Sequence, residues 1–372
     1  MRYDPLPDDE LTRWLAEETC SLCAIPSTTG EERAITEYLV ARVSLLSPAA
    51  RIERLGNNLL VSAGHPHGVR VGLFGHTDTV PPSGVAQPPR IDWESRRVYG
   101  LGASDMKAGL AVMLRFLAVA PSLPIHLLCV FYDREEGPSA QSGMVSLCEQ
   151  KKTLLQAQRL AIVLEPTGNR VEAGCSGSLQ ATVVVGGKRA HSARPWLGEN
   201  AIYAALPLLQ KLAQVQRRAV TVQGLTFYEV ISATQCLTDN ARNVIPDRLT
   251  LNVNYRFAPG KTPSQAEAEL RNWIGMQHFL QIVDASVTGA VCIDEPSLSN
   301  WIQAESVAVT AKQAWTDVAR LTELGIPAVN YGPGDPEQAH QTNEFCPLDG
   351  PTRNYTLLSR LVEIIANAGQ QP

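Results

Sequence analysis

The chain has 372 residues, of which 44% are hydrophobic and 19% charged, with a formal net charge of -5. That is apolar material for about two domains, and an acidic balance without a long basic run argues against nucleic-acid or anionic-membrane partners. No apolar stretch approaches the length of a membrane span, and the acidic start at Met1-Arg2-Tyr3-Asp4 is unlike a signal peptide, so a cytoplasmic protein is expected.

Helical periodicity covers 8–23, and a second helix is expected over 30–45 after Thr28-Thr29-Gly30-Glu31-Glu32. Strand candidates follow at 58–62 and 69–74. The second is short, apolar and β-branched at several positions, which predicts a buried parallel strand. It is expected to stop at Gly75 and give way to His76-Thr77-Asp78. Residues two apart in an extended chain point the same way. Asp78 can therefore orient His76 as the outer carboxylate that a metal-bound imidazole needs. The proline-rich stretch 81–89 reads as a loop.

The glycines of Gly100-Leu101-Gly102-Ala103-Ser104-Asp105 let that loop pass close to a site, and Asp105 precedes a helix over 107–119. It can be a ligand or a helix N-cap. A strand over 125–132 runs into Asp133-Arg134-Glu135-Glu136, a helix follows near 142–148, and a strand over 160–164 runs into Glu165. This alternation predicts an α/β fold with a mainly parallel central sheet.

From Ser178 the rhythm changes to strand 179–185, helix 200–215, strands 226–233 and 248–257, helix 262–276 and strand 281–286. This βαββαβ order is ferredoxin-like. In 248–257, Leu249, Leu251, Val253 and Tyr255 alternate with Thr250, Asn252, Asn254 and Arg256, which predicts one open face. The α/β rhythm then returns with a helix over 298–313 and a strand over 328–331 that leads to His340. One domain is thus expected inside another, with boundaries 1–176, 177–290 and 291–372. The eight cysteines are scattered, and Cys20 and Cys23 have no second pair at zinc-ribbon spacing, so reduced thiols are expected.

Ligands of an open parallel sheet bind beyond the carboxyl ends of its strands. There His76, Glu136, Glu165 and His340 would converge with Asp105. Each alone has an ordinary reading as an acidic turn, cap or loop residue; their joint placement does not. Two histidines and three carboxylates suit zinc, with cobalt or manganese admissible. That is more than one catalytic zinc uses and enough for two if a carboxylate bridges. Glu135, diverging from Glu136, is left as general base.

Gly75-His76-Thr77-Asp78-Thr79-Val80, Gly100 to Gly109, Asp133-Arg134-Glu135-Glu136-Gly137 and Leu164-Glu165-Pro166-Thr167 resemble, in order, the dimetal aminoacylase/carboxypeptidase family. The resemblance spans nearly the whole chain. It implies a zinc-peptidase-like catalytic domain with an inserted lid and dimerisation domain, and two Zn2+ per subunit. His76 and Glu165 would hold one ion and Glu136 and His340 the other, with Asp105 bridging, Glu135 as base and Asp78 behind His76. It implies that His191, in Ala190-His191-Ser192-Ala193-Arg194-Pro195, stabilises the oxyanion, reaching the other subunit of a homodimer. Asn243, Arg194, Arg256 and Gly334 are the implied substrate contacts, and Arg256 can fork a carboxylate. The implied substrate is a small N-acyl amino acid. Segments 165–178, 190–200 and 325–340 most resemble the actinobacterial-type succinyl-diaminopimelate desuccinylases, although Gly174-Cys175-Ser176-Gly177-Ser178 lacks the arginine of many enterobacterial ones. Another N-acyl-amino-acid deacylase, such as an acetylornithine deacetylase, or a metallocarboxypeptidase is the alternative. A non-catalytic binding homologue would be expected to lose ligands or base, and this chain keeps them.

Overall fold

The computed structural model describes residues 4, 6–83 and 87–368, so 84–86 of the expected loop at 81–89 lie outside the described residues. In chain order the elements are α1 (Asp8–Cys23), α2 (Arg33–Leu46), β1 (Arg51–Leu55), β2 (Asn58–Gly64), β3 (Arg70–His76), β4 (Arg90–Asp92), β5 (Arg97–Tyr99), α3 (Ala108–Val119), β6 (His126–Tyr132), α4 (Gly143–Gln150), α5 (Lys152–Gln156), β7 (Leu160–Pro166) and β8 (Val171–Ala173). Next come β9 (Gly177–Gly186), β10 (Ala190–His191), α6 (Ala201–Ala204), α7 (Leu206–Ala213), β11 (Arg218–Val222), β12 (Leu225–Leu237), β13 (Val244–Ile245), β14 (Arg248–Phe257), α8 (Pro263–Ile274) and β15 (Phe279–Ser286). The chain ends with α9 (Pro296–Ala304), β16 (Val309–Ala311), α10 (Val318–Glu323), β17 (Ala328–Gly332), β18 (Phe345–Pro347) and α11 (Asp349–Ala368). It divides into two compact units: Met1–Ala173 with Cys292–Thr310 and Arg320–Pro372, and Gly174–Val291 with Ala311–Ala319.

The first unit carries an eight-stranded sheet in the order β1-β2-β6-β3-β7-β17-β8-β16. Its centre is parallel, because β3 pairs in parallel with β6 and β7, and β7 with β17. The apolar runs foreseen for these strands are buried on both faces, as a parallel sheet requires. Helix α3 lies against β3, β6 and β7, and α1, α2 and α11 pack around it. Nearly every residue of α3 is buried, so it is core on all sides rather than amphipathic. Gly109 is what lets it approach: a Cβ there would stand 2.7 Å from the Leu164 carbonyl oxygen of β7. Truncating a buried side chain such as Leu114 to alanine would cost roughly 2–5 kcal/mol.

Three expectations are corrected here. Strand β3 does not stop at Gly75; its pairing with β6 continues to His76 opposite Tyr132. Likewise β7 runs through Glu165 to Pro166, which pairs with Gly332. The helix expected over 298–313 ends at Ala304. Ser306 takes a left-handed φ of 52°, and the Ala308 carbonyl then accepts from Val171 N–H, drawing the chain onto the sheet edge. Local periodicity loses there to a backbone hydrogen-bonding partner. The long amphipathic α11 was not among the expected elements. Among the described residues no helix is long and apolar enough to cross a membrane.

The second unit has a five-stranded sheet in the order β11-β12-β14-β9-β15. Without the added hairpin strand β11, this is the ferredoxin-like arrangement expected from the sequence. Leu249, Leu251, Val253 and Tyr255 join one buried cluster with Leu179, Ala181 and Val183 of β9 and with residues of the helices. The alternate residues form a polar ladder on the other face. Asn252 Nδ2 donates to Gln180 Oε1 at 2.8 Å, and Arg256 Nε to Asn254 Oδ1 at 3.1 Å. The helix expected over 200–215 is broken into α6 and α7 at Pro207, which lacks an N–H and clashes with the preceding turn.

Candidate metal centre

Every expected metal residue lies in the first unit. His76, 1% exposed, is anchored by its own strand. Its Nδ1 is 3.1 Å from the Asp78 carbonyl oxygen and 3.5 Å from Asp78 Oδ1. Both are acceptors, so Nδ1 carries the proton and donates. Nε2 is then turned inward, 3.0 Å from Asp105 Oδ1 and 3.9 Å from Glu165 Oε1. Burial opposes a charged ring, but Asp105, Asp78 and Glu165 outweigh it, and the His76 pKa lies well above its ordinary value.

Asp78 serves more than His76. Its Oδ1 accepts from Glu135 N–H at 2.9 Å, and its Oδ2 from Glu136 N–H at 3.0 Å and from Thr29 Oγ1 at 2.9 Å. Burial alone would raise its pKa, yet His76 and these donors hold it below the usual carboxylate value. One carboxylate thus fixes a histidine tautomer and the backbone of the Glu135-Glu136 turn.

The other edge of the cluster is His340, whose Nε2 is 3.0 and 3.1 Å from the two oxygens of Glu136 and 3.9 Å from Asp105 Oδ2. Asp105 therefore faces His76 with one oxygen and His340 with the other. Donor atoms fall within 4.8 Å of one another in three overlapping sets: His76, Asp105 and Glu165; Asp105, Glu136 and His340; and His76, Glu135 and Glu136. Burial, with the charge of Asp105, raises the Glu136 pKa despite the neighbouring histidines. Imidazole and carboxylate donors in two sets that share one carboxylate fit a pair of divalent cations. Asp105 is not a helix cap: it lies inside the tight turn Ala103–Lys107, and α3 has no side-chain cap.

Glu344 was missed by the sequence analysis. Its buried carboxylate accepts from the backbone N–H of Gly102 at 2.7 Å, Ser104 at 2.8 Å and Asp105 at 2.9 Å. It therefore shapes the loop that presents Asp105. Burial, with Asp105 nearby, pushes its pKa up to about 7 against these donors. Its only trace in the sequence is a glutamate four residues after His340, which carries no periodicity or turn signal. Gly334 packs against the same loop, where a Cβ would stand 2.2 Å from the Ser104 carbonyl oxygen.

The remaining expected residues belong to the second unit. His191 ends β10, which pairs with β13, and its exposed ring accepts from Ala193 N–H at 3.0 Å. Asn243 joins it, its carbonyl accepting from Ser192 N–H at 2.9 Å, and Arg194 N–H donates to the His191 carbonyl at 2.8 Å. Arg256 lies apart from these three, on the polar face of β14.

Comparison with known proteins adds to this geometry. Residues 72–364 match peptidase family M20/M25/M40. The chain is 39% identical over 346 residues to a Mycobacterium tuberculosis protein named "Putative succinyl-diaminopimelate desuccinylase DapE", covering 92% of this chain and 96% of that one. It is 36% identical to the succinyl-diaminopimelate desuccinylase of Corynebacterium glutamicum, covering 89% and 91%. Among solved structures it resembles a Staphylococcus aureus tripeptidase, with a TM-score of 0.78, 19% identity and coverage of 96% and 99%. It also resembles a Bacillus subtilis dinuclear metal-binding peptidase of family M20, with a TM-score of 0.67, 15% identity and coverage of 96% and 99%.

Proposed function

Because the chain belongs to peptidase family M20/M25/M40, we propose that it is a dimetal amide hydrolase that converts N-succinyl-LL-2,6-diaminopimelate and water to succinate and LL-2,6-diaminopimelate. The chemistry rests on one observation above all: the two oxygens of Asp105 face different histidines. The succinyl preference rests on the names of relatives at 36–39% identity.

His76 and Glu165 would hold one cation and Glu136 and His340 the other, with Asp105 offering one oxygen toward each histidine. Zinc suits this donor set, and cobalt or manganese can replace it. Bound metal supplies Lewis acidity, acidifying water and polarising the scissile carbonyl. Glu135, held through its own N–H by Asp78, takes the proton from the attacking water and returns it to the leaving amine. His191 is the proposed oxyanion donor, on the family resemblance alone. Arg194, Asn243, Arg256 and Gly334 are the proposed substrate contacts. The second unit is the proposed lid and the surface of a cytoplasmic homodimer.

The test is a panel of N-succinyl-LL-2,6-diaminopimelate, N-acetylornithine and simple dipeptides, offered to metal-loaded protein. Succinate release should dominate by kcat/KM. Faster turnover of acetylornithine or of dipeptides would sink the desuccinylase reading while leaving the amide hydrolase intact.

A further inference from the structure

Beside the candidate centre lies a cavity of about 160 Å3 whose lining includes His340, Asn343, Tyr99 and Arg90. Among the described residues, Arg90 is the one Lys or Arg in that lining. It stands opposite Tyr99 in the β4–β5 ladder, and Tyr99 stands opposite Phe345 of β18. Arg90, Tyr99 and Phe345 thus form a row across a three-stranded sheet. The guanidinium carbon of Arg90 sits 4.1 Å from the centre of the Tyr99 ring. A guanidinium stacked by its face keeps its N–H edge available for a planar carboxylate. Asp92 feels its charge, but among the described residues Arg90 makes no ion pair.

A single cation in that lining complements an anionic ligand. The proposed substrate carries three carboxylates: one on the acyl group, one beside the scissile amide and one at the distal end. We propose that Arg90, stacked on Tyr99 in the cavity it shares with His340, is a carboxylate-binding subsite that sets substrate specificity. This rests on the desuccinylase reading. Phe345 follows Glu344 directly, so the row bearing Arg90 and the clamp on the Asp105 loop are joined through adjacent residues.

The experiment measures KM and kcat for the unsubstituted protein, Arg90→Ala and Arg90→Lys, all metal-loaded. The substrates are N-succinyl-LL-2,6-diaminopimelate and three analogues, each lacking one carboxylate. N-acetyl-LL-2,6-diaminopimelate lacks the acyl one and N2-succinyl-L-lysine the distal one; in the third, the carboxylate beside the scissile bond is an amide. On the full substrate Arg90→Ala should raise KM about tenfold or more, with kcat within about twofold. Arg90→Lys should restore only part, because it cannot fork. The penalty should vanish for one analogue, which identifies the carboxylate. An unchanged KM on the full substrate, or a penalty that persists on all three analogues, overturns the subsite. Inertness of the unsubstituted protein toward the full substrate overturns the desuccinylase reading instead, and the subsite with it.

Discussion

The two halves of the candidate centre are built from different material. His76 and Glu165 stand inside parallel strands and are 1% and 6% exposed. Glu136 and His340 stand on loops, and His340 has a left-handed backbone and a side chain that is 52% exposed. His76 and Glu165 both sit on strand backbone at the buried carboxyl ends of β3 and β7, with His76 still paired to Tyr132, so each is ordered before any cation arrives. Glu136 is held by Asp78, but the exposed His340 side chain must be ordered as the cation binds, which weakens the net affinity. The same kinds of donor should therefore bind two cations unequally, the strand half more tightly.

The most damaging change belongs to neither half. Glu135→Gln should lower kcat by roughly 10²–10⁴-fold, the range for loss of a general base, while elemental analysis still finds both halves loaded. Full activity would remove Glu135 from its role, and lost metal would make it a ligand. Next, His76→Ala and His340→Ala should differ. The first should strip the tight cation, costing more than the roughly 10–100-fold attached to an outer-shell partner. The second should leave one tight equivalent, and equal losses would erase the difference between the halves.

Glu344→Gln comes third. The amide presents N–H groups toward a nest of backbone N–H donors, so the Asp105 loop should distort. Metal affinity, read by competition with a chromophoric chelator, should fall about 10–100-fold. Unchanged affinity would reduce Glu344 to a packing residue. The smallest effect concerns the native protein: chelator titration should remove metal in two phases separated by about tenfold or more in affinity, equivalent to ~1.4 kcal/mol. A single phase would mean that Asp105 couples the halves more strongly than their surroundings separate them.

The strand half was the legible half. The apolar runs before His76 and Glu165 identify buried strands, and position at a strand end then marks the residue. The expected strands end at Phe74 and Leu164, short of His76 and Glu165, because these two residues lack the apolar character used to delimit a strand; backbone hydrogen bonding does not depend on that character. The loop half was read through resemblance more than through physics, since nothing local distinguishes His340 from a loop histidine. Glu344 was invisible because its partners are backbone N–H groups about 240 residues away in sequence, and backbone carries no letter code. The same blindness explains the helix over-extended past Ala304, which ends where Ala308 finds Val171. Pro207, by contrast, was in plain view and should have divided the helix over 200–215.

Asp78 has a consequence for how this site can change over time. Its two oxygens answer at once to a histidine, a threonine and two backbone N–H groups. Asparagine, one base change away and nearly the same shape, would turn an N–H donor toward groups that are themselves donors. Glutamate would keep the charge and move it by a methylene. The nearest mutational neighbours of Asp78 thus disturb the proposed base and the buried ligand together, and a lineage could not retune one of them through this position without disturbing the other.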